Sequence, residues 1–185
     1  MNEENKVNRA QEFARTAHQH IGGVSVSGVK KPQIHHIQEV ADLVWISGGN
    51  DDEITAAWLH DSVEDTDTAL ADIERHFGKH VAEIVEGLTD LDHFKGLPPQ
   101  ERKKLQAERV RHESESVRRV KLADQLSNVR ALTIDPIKTM PEHEMWPYIQ
   151  GAKFIADECR GISSLLDDLF DKFFALAEKK YKNVT

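Results

Sequence analysis

The chain has 185 residues, of which 39% are apolar and 30% charged, and its formal net charge is −8. That length suits one domain with a sizeable core, and the composition belongs to a globular chain rather than a disordered one. The acidic balance argues against DNA or RNA as a partner, a single cysteine (Cys159) rules out an intramolecular disulfide framework, and no run of about 18 apolar residues offers a membrane-spanning helix.

Apolar residues recur at helical spacing almost throughout, and β-branched alternation is nearly absent, so the predicted class is all-α. A first helix is predicted over about 4–20, and the glycines and serines of "IGGVSVSGVKKP" (21–32) read as a loop. Pro32 stands near the first turn of a second helix that ends near 47–50. "NDDE" (50–53) supplies a cap and first-turn acids for a third helix. Thr68 is placed to cap a short fourth helix ending at Gly78, and a fifth runs to about Leu88. Residues 89–99 read as a loop, followed by helices over 100–112 and 114–132. Pro136, Pro141 and Pro147 punctuate the next stretch, and the last helices are predicted over 147–159 and 161–181. No signal peptide is legible, so the expected location is the cytoplasm.

The third helix runs into "AAWLHDSVEDTDT" (56–68), where apolar residues meet a histidine and a row of acids. At about 100° per residue, His60 shares a face with Ala56, Ala57 and Glu64, and Asp61 shares one with Ala57 and Asp65. Carboxylates gathered at a helix C-terminus oppose the macrodipole, and a bound divalent cation would offset that penalty. Taken alone, the stretch reads more plainly as a solvated helix end. Two further segments change that balance. In "PQIHHIQEVADLV" (32–44), His36 shares its face with Val40, Leu43 and Val44 and so points inward, whereas His35 lies with Glu39 and Asp42 toward solvent. In "VRRVKLADQLSNVRAL" (117–132), Asp124 is in line with Val117, Val120, Asn128 and Ala131. The plainer alternatives are a core histidine bonded to a carbonyl and an aspartate paired with Lys121 or Arg118. Together, His36, His60, Asp61 and Asp124 make a mixed nitrogen and oxygen donor set on three helices, suited to Mn²⁺, Fe²⁺ or Zn²⁺ rather than Ca²⁺.

This H…HD…D pattern resembles that of the HD-domain metal-dependent phosphohydrolases, and more closely the RelA/SpoT-type alarmone hydrolases. The stretch 56–68 contains an HDxxED signature, and "ERHFGKHVAEIVEGLTD" (74–90) and "RVKLADQLSNVRAL" (119–132) resemble the segments that follow it in that family. The likeness runs from about residue 10 to 175. It implies an HD-domain helical bundle in a single compact domain over 1–185, of the small stand-alone kind. It also implies removal of the 3′-pyrophosphate from (p)ppGpp with one Mn²⁺, Fe²⁺ and Zn²⁺ being weaker candidates. By the resemblance, His36, His60, Asp61 and Asp124 hold the metal, Glu64 and Asp65 orient or deprotonate the attacking water, and Asn128, Arg130 and Tyr148 contact the nucleotide.

The segment before His36 departs from the family. Gly22 and Gly23 stand where basic residues are expected, Gln33 stands for a tyrosine and Ile37 for a proline, leaving Lys30 and Lys31 as the local cations. An adenine alarmone, (p)ppApp, is therefore carried beside the guanine one. The implied partner is a small nucleotide, with neither nucleic acid nor membrane, and the oligomeric state is left open. Two rival readings remain: a general HD nucleotidase or phosphatase acting on a dNMP or an NADPH-like substrate, and a non-catalytic nucleotide-binding domain.

Overall fold

A computed structural model describes residues 5–94 and 96–182; residue 4 of the predicted first helix, Lys95 of the predicted loop 89–99 and both ends of the predicted domain lie outside them. Along the chain come α1 (Lys6–Ala17), β1 (Gly22–Val24), β2 (Lys30–Pro32), α2 (Gln33–Ile46), α3 (Asp51–Leu59), α4 (Ser62–Asp65), α5 (Leu70–Phe77), α6 (Lys79–Leu88), a 3₁₀ turn (Asp92–Phe94), α7 (Pro99–Val110), α8 (Glu115–Ile134), α9 (Glu142–Glu158) and α10 (Ser164–Tyr181). The all-α prediction holds, with one small hairpin added to it.

α8 is the axis of the bundle, packed by α2, α3, α6, α7, α9 and α10. Its middle is buried without a break from Leu122 to Ser127, as expected of a helix surrounded by others. Polar groups at Asp124, Gln125 and Ser127 are therefore enclosed and must find partners. α3 is buried from Glu53 to Leu59. Its start is fixed by a capping box: the Asn50 side chain accepts the amides of Asp52 and Glu53, each at 3.0 Å, while Glu53 Oε2 accepts the Asn50 amide at 2.9 Å. The same carboxylate lies 3.3 Å from Arg119 Nε on α8, which locks α3 to the axis.

Four details differ from the sequence reading. The stretch 21–32 is a hairpin rather than a plain loop, with Gly22 opposite Pro32 and Val24 opposite Lys30. Each strand has three residues, too few to leave an alternation signal. Gly22 is required there, because a Cβ would meet the Lys31 carbonyl oxygen at 2.6 Å. The hairpin is fastened to the α8–α9 connection, where Val26 donates to the Pro136 carbonyl (2.7 Å), Lys138 donates to that of Val24 (2.9 Å), and Ser27 Oγ donates to Asp135 (2.8 Å). Second, the predicted third helix stops at Leu59, and the acids at 64 and 65 belong to the separate turn α4. Third, Ala69 rather than Thr68 precedes α5, its amide held by Asp72 at 3.2 Å, while the Thr68 hydroxyl accepts a bond from Thr66. Fourth, Pro147 lies inside α9 instead of starting it. The carbonyl that its missing N–H leaves open belongs to His143, which is exposed and can be solvated.

Candidate active site

α2, the α3–α4 junction and α8 deliver the site. On α2, His36 Nδ1 lies 2.9 Å from Ser127 Oγ, and Ser127 Oγ donates to Glu39 Oε2 at 3.1 Å. The hydroxyl has one hydrogen, and the carboxylate takes it, so His36 must donate from Nδ1 and keep its Nε2 lone pair for the site. His60 closes α3. Its Nδ1 lies 2.8 Å from the Ala57 carbonyl, which can only accept, so Nδ1 carries the proton. Its Nε2 is buried and has no hydrogen-bond partner. An acceptor nitrogen buried without a partner is costly unless something electrophilic meets it. The two imidazole rings stand edge to face with centroids 5.3 Å apart.

Asp124 completes the group, with Oδ1 3.5 Å from His36 Nε2. Donor atoms of His36, His60 and Asp124 all fall within 4.8 Å of one another. Asp61 flanks them, Oδ1 3.1 Å from His60 Nε2 and Oδ2 3.8 Å from His36 Nε2. Gln33 Nε2 donates to Asp61 Oδ2 at 2.7 Å, so the residue standing for the family tyrosine secures an acid of the site. Two neutral imidazoles with two carboxylates form a donor set that fits a divalent metal.

The electrostatics agree. Burial would lower the pKa of His36, but the hydrogen bond that its ring can donate to Asp124 and the charges of Asp61, Asp124 and Glu39 outweigh it and raise the value. The pocket favours positive charge at that nitrogen. Burial works to raise Asp124, yet Lys121, His36 and His60 hold it well below the usual carboxylate range. Lys121 Nζ lies 3.4 Å from Asp124 Oδ2, so the predicted ion pair exists alongside the ligand geometry rather than in place of it.

Glu64 and Asp65 sit on α4, one turn past His60 and Asp61. Desolvation raises both, with Asp61 adding to the effect on each. Glu64 Oε1 accepts the Asp90 amide at 2.7 Å, and the Asp90 carboxylate accepts both bonds from Gln106 Nε2, at 2.7 and 2.8 Å. A cavity of about 670 Å³ between α1 and α5 reaches Glu64 and Asp65, with Phe13, Arg75 and His76 on its far walls. His35 is exposed, as its helix face implies. His18 is buried, with Nδ1 3.0 Å from the Ala14 carbonyl, and its field acts on Asp65.

The three predicted nucleotide contacts are placed differently from one another. Asn128 Nδ2 donates to Asp124 Oδ1 at 2.6 Å, which brings it into the centre. Arg130 pairs with Glu39 at 2.7 Å, and its guanidinium lies 5.9 Å from the Phe173 ring centre. The Tyr148 ring carries the Lys103 ammonium over its face at 4.7 Å. Sequence reasoning missed Gln33, Ser127, Gln125 and Lys103, and it turned Glu39 to solvent. Glu39 instead bridges Ser127 and Arg130. Most of these side chains take a partner from a segment distant in sequence: Gln33 from Asp61, Ser127 from Glu39 and Gln125 from Lys103.

Comparison with known proteins places this geometry in context. A family model described as "HD domain" matches residues 10–143. The guanosine-3′,5′-bis(diphosphate) 3′-pyrophosphohydrolase MESH1 of Xenopus tropicalis is 41% identical over 147 residues, covering 78% of this chain and 80% of that one. The Homo sapiens protein of the same name is 38% identical over 145 residues, covering 77% and 79%. The bifunctional (p)ppGpp synthase/hydrolase SpoT of Escherichia coli is 36% identical over 133 residues, which make up 69% of this chain but 18% of that protein. A solved structure of a metazoan ortholog of SpoT that hydrolyses ppGpp superposes with a TM-score of 0.83 at 29% identity, covering 95% of this chain and 97% of the other.

Proposed function

Since this chain belongs to the HD-domain family, we propose that it is a metal-dependent hydrolase that removes the 3′-pyrophosphate from alarmone nucleotides, (p)ppGpp and (p)ppApp. The observation that carries the proposal is the convergence of His36, His60 and Asp124, with the buried Nε2 of His60 left without a hydrogen-bond donor and facing only carboxylate oxygen. The relatives named for this reaction support the same reading.

In this proposal His36, His60, Asp61 and Asp124 hold one divalent ion, Mn²⁺ in preference to Fe²⁺ or Zn²⁺. When bound, the ion acts as a Lewis acid that acidifies water and offsets charge on phosphoryl oxygens. Glu64 and Asp65 stand beside those ligands, and desolvation raises the pKa of each carboxyl, which makes either a stronger base than an exposed carboxylate. One of them removes a proton from water as its oxygen attacks the phosphorus next to the 3′-oxygen. The bond between that phosphorus and the 3′-oxygen breaks, the 3′-oxygen leaves with a proton, and pyrophosphate departs. Positioning and charge stabilisation carry most of such a reaction, which suits a site built from fixed donors. Lys121, held among Asp124, Glu64, Asp90 and Asp61, is a cation at the edge of the site. Asn128, Arg130 and Tyr148 are proposed on the nucleotide side.

The hairpin bears on base choice. Lys31 lies 3.4 Å from Asp135, so one of the two local cations is engaged by an acid of the chain itself. A substrate panel tests the proposal: ppGpp, pppGpp, ppApp, pppApp and NADPH, each with the Mn²⁺-loaded protein and with products resolved. Pyrophosphate from the alarmones is the expected result. Orthophosphate from NADPH with intact alarmones would select the general phosphatase reading, and binding without turnover the non-catalytic one.

A further inference from the structure

We propose that Lys103 is a positioning residue for the metal centre, acting on the ligand Asp124 through the side chain of Gln125. The inference rests on the reading of His36, His60, Asp61 and Asp124 as a metal site.

Lys103 lies on α7, a helix that carries none of the ligands, and it is only 5% exposed. A lysine this deeply enclosed is costly to keep, and an apolar residue of similar volume would ordinarily serve packing better. The surroundings are shaped to admit it. Gly151 on α9 faces its stem, and a Cβ there would lie 2.8 Å from Lys103 Cγ and 2.9 Å from its Cβ. Tyr148, three residues earlier on α9, presents its ring to the ammonium at 4.7 Å. Lys103 Nζ donates to Gln125 Oε1 at 2.9 Å, and Gln125 Nε2 donates to Asp124 Oδ2 at 2.7 Å.

The chemistry of the pair gives this chain a direction. A glutamine amide can turn over and exchange its oxygen and nitrogen in one volume. An ammonium has hydrogens to give and accepts nothing, so Lys103 admits only the oxygen end. That choice turns the NH₂ toward Asp124. With Asn128 on Oδ1 and Gln125 on Oδ2, both carboxylate oxygens are tethered and the plane of the ligand is set. Without Lys103, Gln125 is free to turn its carbonyl oxygen onto the carboxylate, which repels it. Groups behind a ligand commonly govern its affinity for metal in this way.

The test measures Mn²⁺ binding to the full chain by isothermal titration calorimetry, without nucleotide. Lys103→Met is expected to weaken Mn²⁺ by roughly tenfold to a hundredfold. Gln125→Leu should weaken it similarly, and the double variant should be no weaker than Gln125→Leu alone, because the relay is already cut. Additive losses in the double variant would overturn the proposal. Gln125→Glu keeps a partner for the buried lysine and so preserves the fold, but it offers Asp124 no hydrogen. Its Mn²⁺ affinity should fall by at least about tenfold, and an affinity within about twofold of wild type would overturn the relay even if Lys103→Met did not fold. Failure of the wild-type chain to bind Mn²⁺ would overturn the metal-site reading itself, and this inference with it.

Discussion

Replacing Asp124 with alanine removes a proposed ligand and the counter-charge of a largely enclosed lysine, Lys121, in one step. Asp124 is 7% exposed and faces Lys121 at 3.4 Å, His36 at 3.5 Å and the amides of Gln125 and Asn128. Breaking a buried pair by removing one partner costs about 3–5 kcal/mol. Lys121 keeps the fields of Glu64, Asp90 and Asp61, so the lower end, about 3 kcal/mol, applies to the metal-free protein. For a chain of this size about 1 kcal/mol moves Tm by roughly 2–4 °C, which gives a fall of about 6–12 °C. Metal adds a second difference. Mn²⁺ at about 100 times its Kd stabilises the wild type by about 2.7 kcal/mol, or roughly 5–10 °C, and Asp124→Ala should lose that rise. Differential scanning fluorimetry with and without Mn²⁺ reads both quantities, and metal analysis of the purified protein checks the second. A variant that keeps the Mn²⁺-dependent rise in Tm would refute the ligand assignment, however much its baseline stability had dropped.

Three other outcomes follow from the same geometry. Asp65→Ala should retain Mn²⁺ and its Tm while kcat falls by about 10²–10⁴, the usual contribution of a general base, and turnover near that of wild type would remove Asp65 from its role. Burial lowers Lys103 to about 8 from an ordinary value of 10.5. Between those limits the unfolded chain holds a proton that the folded chain has released, so stability contributed at this residue rises with pH from about 8 to 10.5 and is level outside that window. Denaturant melts across that range, compared with Lys103→Met, should show a rising difference, and parallel curves would contradict the burial argument. Gly151→Ala should cost about 1–3 kcal/mol, measured by denaturant titration, because the new Cβ meets the near end of the Lys103 stem rather than its mobile tip.

Part of the centre is legible in the sequence, because two of the proposed ligands, His36 and Asp124, lie on apolar helix faces whose period betrays their direction. His36 is read inward from Val40 and Val44, and Asp124 from Val117 and Val120; the structure buries all four valines and brings the two side chains together. The HD signature locates His60 and Asp61, but not the break between α3 and α4, which puts Glu64 and Asp65 on a separate short helix. What stayed hidden is the supporting layer. Ser127 and Gln125 are small or neutral polar residues whose partners stand far away in sequence, at Glu39 and Lys103. Lys103 sits in the charged run "ERKK"; it shares a helix face with Ala107 and Val110, but a lysine at the end of such a stripe reads as a solvated residue. The hairpin escaped because three-residue strands carry no period, and its order comes from contacts with Asp135, Pro136 and Lys138 on a distant loop. Among the described residues no helix is long and apolar enough to cross a membrane.

The central claim is hydrolysis at the 3′-pyrophosphate, and one experiment reads it directly. The Mn²⁺-loaded chain is incubated with ppGpp in ¹⁸O-labelled water, and the products are resolved by ³¹P NMR and mass spectrometry. Attack of water on the phosphorus predicts GDP and pyrophosphate in equal amounts, with the label in the pyrophosphate. Orthophosphate as the released product, or label in the GDP, would contradict the account.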